Sequence, residues 1–182
     1  MLDSILADRD LVVDWVKFGT MFVVSRLLAG GSLEDQEWMM SCLYTLLGFT
    51  TYHIIVKKMV PNTSENEVMR RVVNTWLKVG TMLTVSRLLS GKPLNEEWAM
   101  TSLYTILGFN TMDTVVADLV PLDGIEHPGM KAVLTDALTV ATMSTVSTLL
   151  GGGQLDEKWA MSSLYTFAGF AAYDLGTSNL LN

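Results

Sequence analysis

The sequence predicts an all-α protein built from three tandem helical hairpins, six helices in all. Three observations predict this fold: a segment that recurs three times at a fixed interval, apolar stretches too long for ordinary strands, and prolines confined to connections. The chain has 182 residues, about the length of one domain. We therefore treat residues 1–182 as a single domain of three repeats.

The repeat is clear in both helices of each hairpin. Helix A reads GTMFVVSRLL at 19–28, GTMLTVSRLL at 80–89 and ATMSTVSTLL at 141–150, so both steps are 61 residues. Helix B reads WMMSCLYTLLGF, WAMTSLYTILGF and WAMSSLYTFAGF, and its copies begin at Trp38, Trp98 and Trp159. The hairpins therefore occupy residues 4–61, 64–121 and 125–182.

Short signals mark where the helices begin and turn. The hairpin turns AGGSLE, SGKPL and GGGQL are short enough to make helices A and B antiparallel neighbours. A residue able to cap exposed N–H groups precedes each helix B, namely Asp35, Asn95 and Asp156. Ser64 with Glu67 matches a capping box that opens the second helix A.

No single hairpin can bury its apolar faces, so the three must pack together. A ring with pseudo-threefold symmetry and a linear array both satisfy this requirement. Glycines recur on the face of helix B that carries the small residues, and small residues allow close helix approach of the kind found in lipid-embedded bundles. These glycines are Gly48, Gly108 and Gly169.

The composition lies between that of a membrane protein and that of a soluble helical protein. Hydrophobic residues make up 49% of the chain and charged residues only 17%. The formal net charge of −7, with no basic run, argues against a nucleic-acid partner. The single cysteine, Cys42, excludes an intramolecular disulfide framework.

Two charge-free stretches, 38–56 and 137–155, are narrowly long enough to cross a bilayer. The other helices carry charges: Lys17 and Lys78 lie roughly 16 Å from their hairpin turns and would have to snorkel. Trp15 and Trp76 near the linkers, and the helix B tryptophans near the turns, form two levels that resemble interfacial belts. We therefore predict a transmembrane bundle, with a soluble helical bundle as the alternative.

Two groups of side chains are candidate functional residues. One is an intramembrane polar set: equivalent residues roughly 22 Å along helix B, together with the two lysines, could ring a pore or lie near the headgroups at a helix end, and we favour the second interpretation. This set is His53, Asp113, Asp174, Lys17 and Lys78. The other group, near the turns, provides contacts to a partner or to lipid: Arg26, Arg87, Trp38, Trp98 and Trp159.

The sequence carries no signature of catalysis. Nucleophile elbows, phosphate-binding loops, dinucleotide fingerprints and HExxH or CxxC motifs are all missing. We accordingly predict a protein that is not an enzyme and that uses neither cofactor nor metal.

A small acidic chain made of VSRLL-turn-EWAMxSLYTxLGF hairpins resembles the membrane-embedded minor capsid proteins of nucleocytoplasmic large DNA viruses. The resemblance is one of architecture, carried by 80–89, 98–109 and their copies. It implies a structural protein at the internal membrane of the virion, or where the capsid meets it. Its expected partners are other capsid proteins and the lipid bilayer, with self-association left open. The alternatives are a small multi-pass channel or transporter and a soluble helical interaction module.

Overall fold

A computed structural model describes residues 8–60 and 63–178, which form six helices without a strand. The predicted all-α class and the six helices are confirmed. In chain order the helices are α1 (Arg9–Leu28), α2 (Gln36–Met59), α3 (Glu67–Leu89), α4 (96–119), α5 (Pro128–Leu150) and α6 (Glu157–Ser178).

The hairpins close into a ring rather than a linear array. Packing is most extensive between α1 and α6, α2 and α3, and α4 and α5, so each tight pair joins two different hairpins. The first of these pairs joins the first and the last helix of the chain. The bundle consequently has pseudo-threefold symmetry, with an end that carries the three hairpin turns (the turn end) and an end that carries the two linkers (the linker end).

Three equivalent glycines make the tight pairs possible. A Cβ added to Gly48 would lie 2.6 Å from the Cα of Met82, and one added to Gly169 would lie 2.6 Å from the Cα of Met21. The same construction on Gly108 meets the Cα of Met143 at 2.8 Å. Because the obstacle is backbone in every case, only glycine lets these helices approach so closely. The sequence prediction for this face is confirmed.

The turns also repeat in detail. Gly30, Gly91 and Gly152 have φ values of 72°, 68° and 73°, the left-handed conformation that ends helix A at low steric cost. At the start of helix B, the side chains of Asp35, Asn95 and Asp156 accept the backbone N–H three residues on, at 3.1, 3.0 and 2.8 Å. The three predicted caps are confirmed.

Two local predictions were wrong. The second helix A is capped by Asn66, which accepts from the backbone N–H of Met69 at 3.0 Å, and not by Ser64. The charge-free stretch 137–155 is not one helix, because the chain turns at Gly151–Gly153 and α5 instead begins at Pro128. The prediction used only the absence of charge, which does not show where the glycines of the turn end the helix.

Two helices, Gln36–Met59 and Pro128–Leu150, are long and apolar enough to cross a membrane, each with a mean hydropathy of 1.4 over its best window. A core helix of a soluble protein can have the same length and composition, but such a helix is mostly buried. Only 22% of the first window and 6% of the second are buried. Few residues of these helices are therefore fully buried, and most are partly exposed at the surface of the bundle.

Candidate functional site: the polar layer

The polar set found in the sequence lies in one layer of the ring near its linker end. We call this the polar layer and define it by three sets of equivalent positions: 14, 75 and 136; 17, 78 and 139; and 53, 113 and 174. The first two sets lie on helix A and are three residues apart, so they share a face. The third lies on helix B, where His53 and Asp113 fall within π-helical turns at Tyr52–Val56 and Met112–Val116.

Hairpins 1 and 2 are joined in this layer through Asp14. Its carboxylate lies 2.8 Å from Nε2 of His53 and 2.7 Å from Nζ of Lys78. A carboxylate only accepts, so His53 donates through Nε2–H. Asp14 and His53 are 8% and 3% exposed. The two bonds thus connect α1, α2 and α3 inside the protein.

Hairpins 3 and 1 are joined by the equivalent lysine of hairpin 1. Nζ of Lys17 lies 2.7 Å from Asp136 on α5 and 3.5 Å from Asp174 on α6. Asp174 is 6% exposed. One ammonium therefore holds two carboxylates, and it bridges the same pair of helices that closes the ring.

The seam between hairpins 2 and 3 departs from this pattern. Asp113 accepts a hydrogen bond from Thr75 at 2.9 Å, and the lysine position is occupied by Thr139, which donates to the carbonyl of Thr135 instead. Within the described residues no ion pair crosses this seam in the polar layer. In the polar layer, ion pairs therefore cross two of the three seams between hairpins.

Replacing Thr139 with lysine is expected to stabilise the protein by about 1 kcal/mol, because the new ammonium can reach Asp113 as Lys17 reaches Asp174. Thermal unfolding in detergent measures the effect. Thr139→Met is the control, since it adds a chain of similar length without charge. Equal midpoints for the lysine and methionine variants would contradict the assignment.

An apolar layer lies next to the polar layer on the side of the turn end. The ring of Phe18 stacks 4.4 Å from Phe49 and 5.4 Å from Phe170, and the positions equivalent to Phe18, Val79 and Val140, are buried. His53, Asp113 and Asp174 contact groups on helix A and not one another. The arrangement is suited to holding helices together, because each acid of the layer contacts a lysine, a histidine or a hydroxyl group on a neighbouring helix.

The polar layer does not form a metal-binding group. Among residues 8–60 and 63–178, no three His, Cys, Asp or Glu side chains are grouped so that they could hold an ion. The acids of the layer are instead bonded to lysine, histidine or threonine.

The arginines predicted to contact a partner or lipid are engaged within their own turns. Arg26 Nη2 lies 2.6 Å from Asp35, its Nε donates to the carbonyl of Ser32 at 3.2 Å, and its guanidinium lies 5.6 Å from the ring centre of Trp38. Arg87 donates to the carbonyl of Pro93 at 3.0 Å. Trp98 and Trp159 are half-buried, like Trp38. Contact with a partner remains a prediction for all five residues.

The first turn is expected to weaken in acid. The N–H of Trp38 and the charge of Arg26 lower the pKa of Asp35 below its ordinary 3.8. A depressed folded pKa gives stability that is present above 3.8 and is lost as pH falls through the folded value.

Asp35→Asn tests this, because asparagine keeps the cap, as Asn95 does, and removes the charge. The variant should unfold at a lower temperature at neutral pH, and the difference from the parent should shrink only below pH 3.8. A difference that stays constant with pH would contradict the expectation.

The sequence prediction missed one of the three sets of positions that form the polar layer. It identified the lysines and the helix B residues, but not their partners Asp14, Thr75 and Asp136. The 61-residue interval could have revealed them, because all three lie three residues before the lysine position of their repeat.

No protein-family model, curated protein or solved structure matches the chain.

Proposed function

We propose that the chain is a non-enzymatic structural protein embedded in a membrane, and that it works as a viral minor capsid protein linking a capsid shell to an internal membrane. The observation that carries the membrane part is the distribution of polarity. Away from the turns and linkers, charged side chains lie in the polar layer inside the ring, whereas many large apolar side chains are exposed on its outside. This is the reverse of the usual soluble protein, whose charged residues are almost never fully buried.

The apolar exterior extends along the helices on both sides of the polar layer. Exposed aliphatic side chains occur on every helix, and large exposed apolar patches mark protein or membrane contacts. Representative members are Val12, Val16, Val23, Leu43, Ile55, Leu134 and Leu164. Placing this surface in lipid removes it from water and leaves the ionised groups shielded by the bundle.

The capsid part of the proposal is supported by the resemblance of the repeats and by a body suited to holding rather than catalysing. His53, the side chain best able to act as a base, is enclosed and already bonded to Asp14. With the body in the bilayer, the turn end and the linker end are left to bind neighbouring capsid proteins. The closed ion pairs of the polar layer favour this role over transport.

A lysine scan on the exterior tests the membrane part. Leu164 is 53% exposed, and at seven residues from the start of α6 it lies about 10 Å inside the proposed apolar slab. Leu164→Lys is expected to block membrane integration, since lysine at depth in a bilayer costs about 3 kcal/mol. Resistance of the membrane pellet to alkaline extraction is the measurement.

Met59→Lys is the matched control, because this side chain is 75% exposed at the linker end of α2 and lies at the interface. A parent chain that is monodisperse without detergent, and a Leu164→Lys variant that behaves like it, would refute membrane embedding. Copurification of the parent with capsid proteins from virions tests the capsid part, and a protein found only in host membranes would refute that part alone.

A further inference from the structure

A cavity of about 690 Å³ opens at the linker end, between hairpin 2 and α5. Charged groups of both signs line it. Arg71 on α3 lines it and forms no ion pair with any described acid, and its Nε is shielded from solvent without a hydrogen-bond partner in the described parts of the chain. Glu67 and Asp118 line the same cavity, and neither forms an ion pair with Arg71 or with another described cation. Opposite charges thus share one space without neutralising each other.

Comparison with hairpin 1 explains why the cavity exists. The position of Arg71 is occupied there by Asp10, which pairs with Lys57 on α2 at 3.1 Å. The residue of hairpin 2 equivalent to Lys57 is Ala117, which lines the cavity. The ion pair between helices A and B of hairpin 1 is therefore replaced in hairpin 2 by a charge opposite a methyl group, which leaves both the space and a guanidinium without an ion pair among the described residues.

We propose that this cavity binds the phosphoethanolamine headgroup of a membrane lipid, with the phosphate on Arg71 and the ammonium on Glu67 and Asp118. The proposal rests on the proposed membrane embedding, which places the linker end at the level of the headgroups. Arginine is well suited to phosphate because its guanidinium presents several N–H donors in a fixed plane. The exposed side chain of Val120 at the cavity adjoins the apolar exterior, where the acyl chains would lie.

The lining selects ethanolamine over the other common headgroups. A quaternary choline is bound best by aromatic rings, and no aromatic side chain lines this cavity. An anionic headgroup such as phosphatidylglycerol would face two carboxylates without an ion pair, Glu67 and Asp118, against one arginine, since the third acid of the lining, Asp123, is paired with Lys131 at 2.8 Å. A primary ammonium, by contrast, can donate to two carboxylates at once.

Native mass spectrometry of the full chain in nanodiscs tests the site. The discs are made of phosphatidylcholine alone, or of phosphatidylcholine with a minority of phosphatidylethanolamine or phosphatidylglycerol, and the lipid retained on the ejected protein is counted. The parent should retain phosphatidylethanolamine in preference to the other two. Arg71→Gln should reduce that preference about tenfold, the loss expected for one hydrogen bond to a charged group.

Two further variants separate binding from folding. Ala117→Glu should reduce the preference as strongly, because it creates an ion pair with Arg71 between helices A and B of hairpin 2 and fills the space. It should leave the thermal midpoint unchanged or raised. Arg70→Gln, on the neighbouring residue that does not line the cavity, should retain the lipid as the parent does. Free phosphoethanolamine should compete with the lipid in the parent.

Equal retention of phosphatidylethanolamine and phosphatidylglycerol, or retention unaffected by Arg71→Gln and by free phosphoethanolamine, would overturn the headgroup site while leaving membrane embedding intact. A chain that does not enter the nanodiscs at all would overturn the proposed function itself. The two failures are therefore distinguishable in one experiment.

Discussion

Gly169→Leu is expected to open the ring and to lower the free energy of unfolding by about 3 kcal/mol, the upper end of the range for overpacking. A Cβ at this position would lie 2.6 Å from the Cα of Met21 and 2.7 Å from its carbonyl oxygen. Backbone atoms cannot rotate away as a flexible side chain can, so α6 must separate from α1. This pair closes the ring, and its separation would also pull Asp174 away from Lys17.

Denaturant or thermal unfolding in detergent measures the loss, and Gly19→Ala supplies the control. Gly19 lies on α1, in the same helix pair, but nothing lies within 4 Å of a Cβ added there. That variant should be neutral or stabilised by up to about 1 kcal/mol. Gly48→Leu and Gly108→Leu should destabilise as strongly as Gly169→Leu. A much milder effect at Gly169 would mean that the chain is a linear array with a loose end contact.

The hairpins could be predicted from the sequence because they are local. A turn glycine such as Gly30, a cap such as Asp35 and an interval of 61 residues each act within one hairpin. Closure of the ring depends on whether α1 meets α6, two helices far apart in the chain. Equivalent glycines showed which face packs closely, but a ring and an array use that face in the same way.

The polar layer was only partly predictable for the same reason. His53, Asp113 and Asp174 were found because they occupy one position of the repeat, and depth along a helix follows from the rise per residue. Their partners depend on which helix lies beside them. The π-helical turns around His53 and Asp113 also change the direction in which these side chains leave the helix, and a regular period of 3.6 residues does not predict that change.

Asp14→Asn is expected to lower the free energy of unfolding by about 2 kcal/mol, because it leaves the ammonium of Lys78 facing a neutral amide, and the loss is below that for a fully buried pair because the Lys78 side chain is 34% exposed. His53 Nε2 also loses a charged acceptor. The substitution preserves shape, so a loss of this size reports charge and not packing. Asp10→Asn is the control one helical turn away: its carboxylate is 72% exposed and pairs with Lys57, and its loss should matter by less than 1 kcal/mol, about the value of a surface ion pair.

A double-mutant cycle then decides whether Asp14 acts through Lys78. If the single variant is unstable because an ammonium is left unpaired, Lys78→Met should recover part of the loss when it is combined with Asp14→Asn, since replacing both members of a buried pair costs less than removing one. Additive losses would mean that the coupling energy between Asp14 and Lys78 is small despite their 2.7 Å contact, and that Asp14 acts mainly through His53. Recovery would show that two hairpins are joined by a pair in which the carboxylate is buried in the bundle, the property expected of a bundle whose exterior faces lipid.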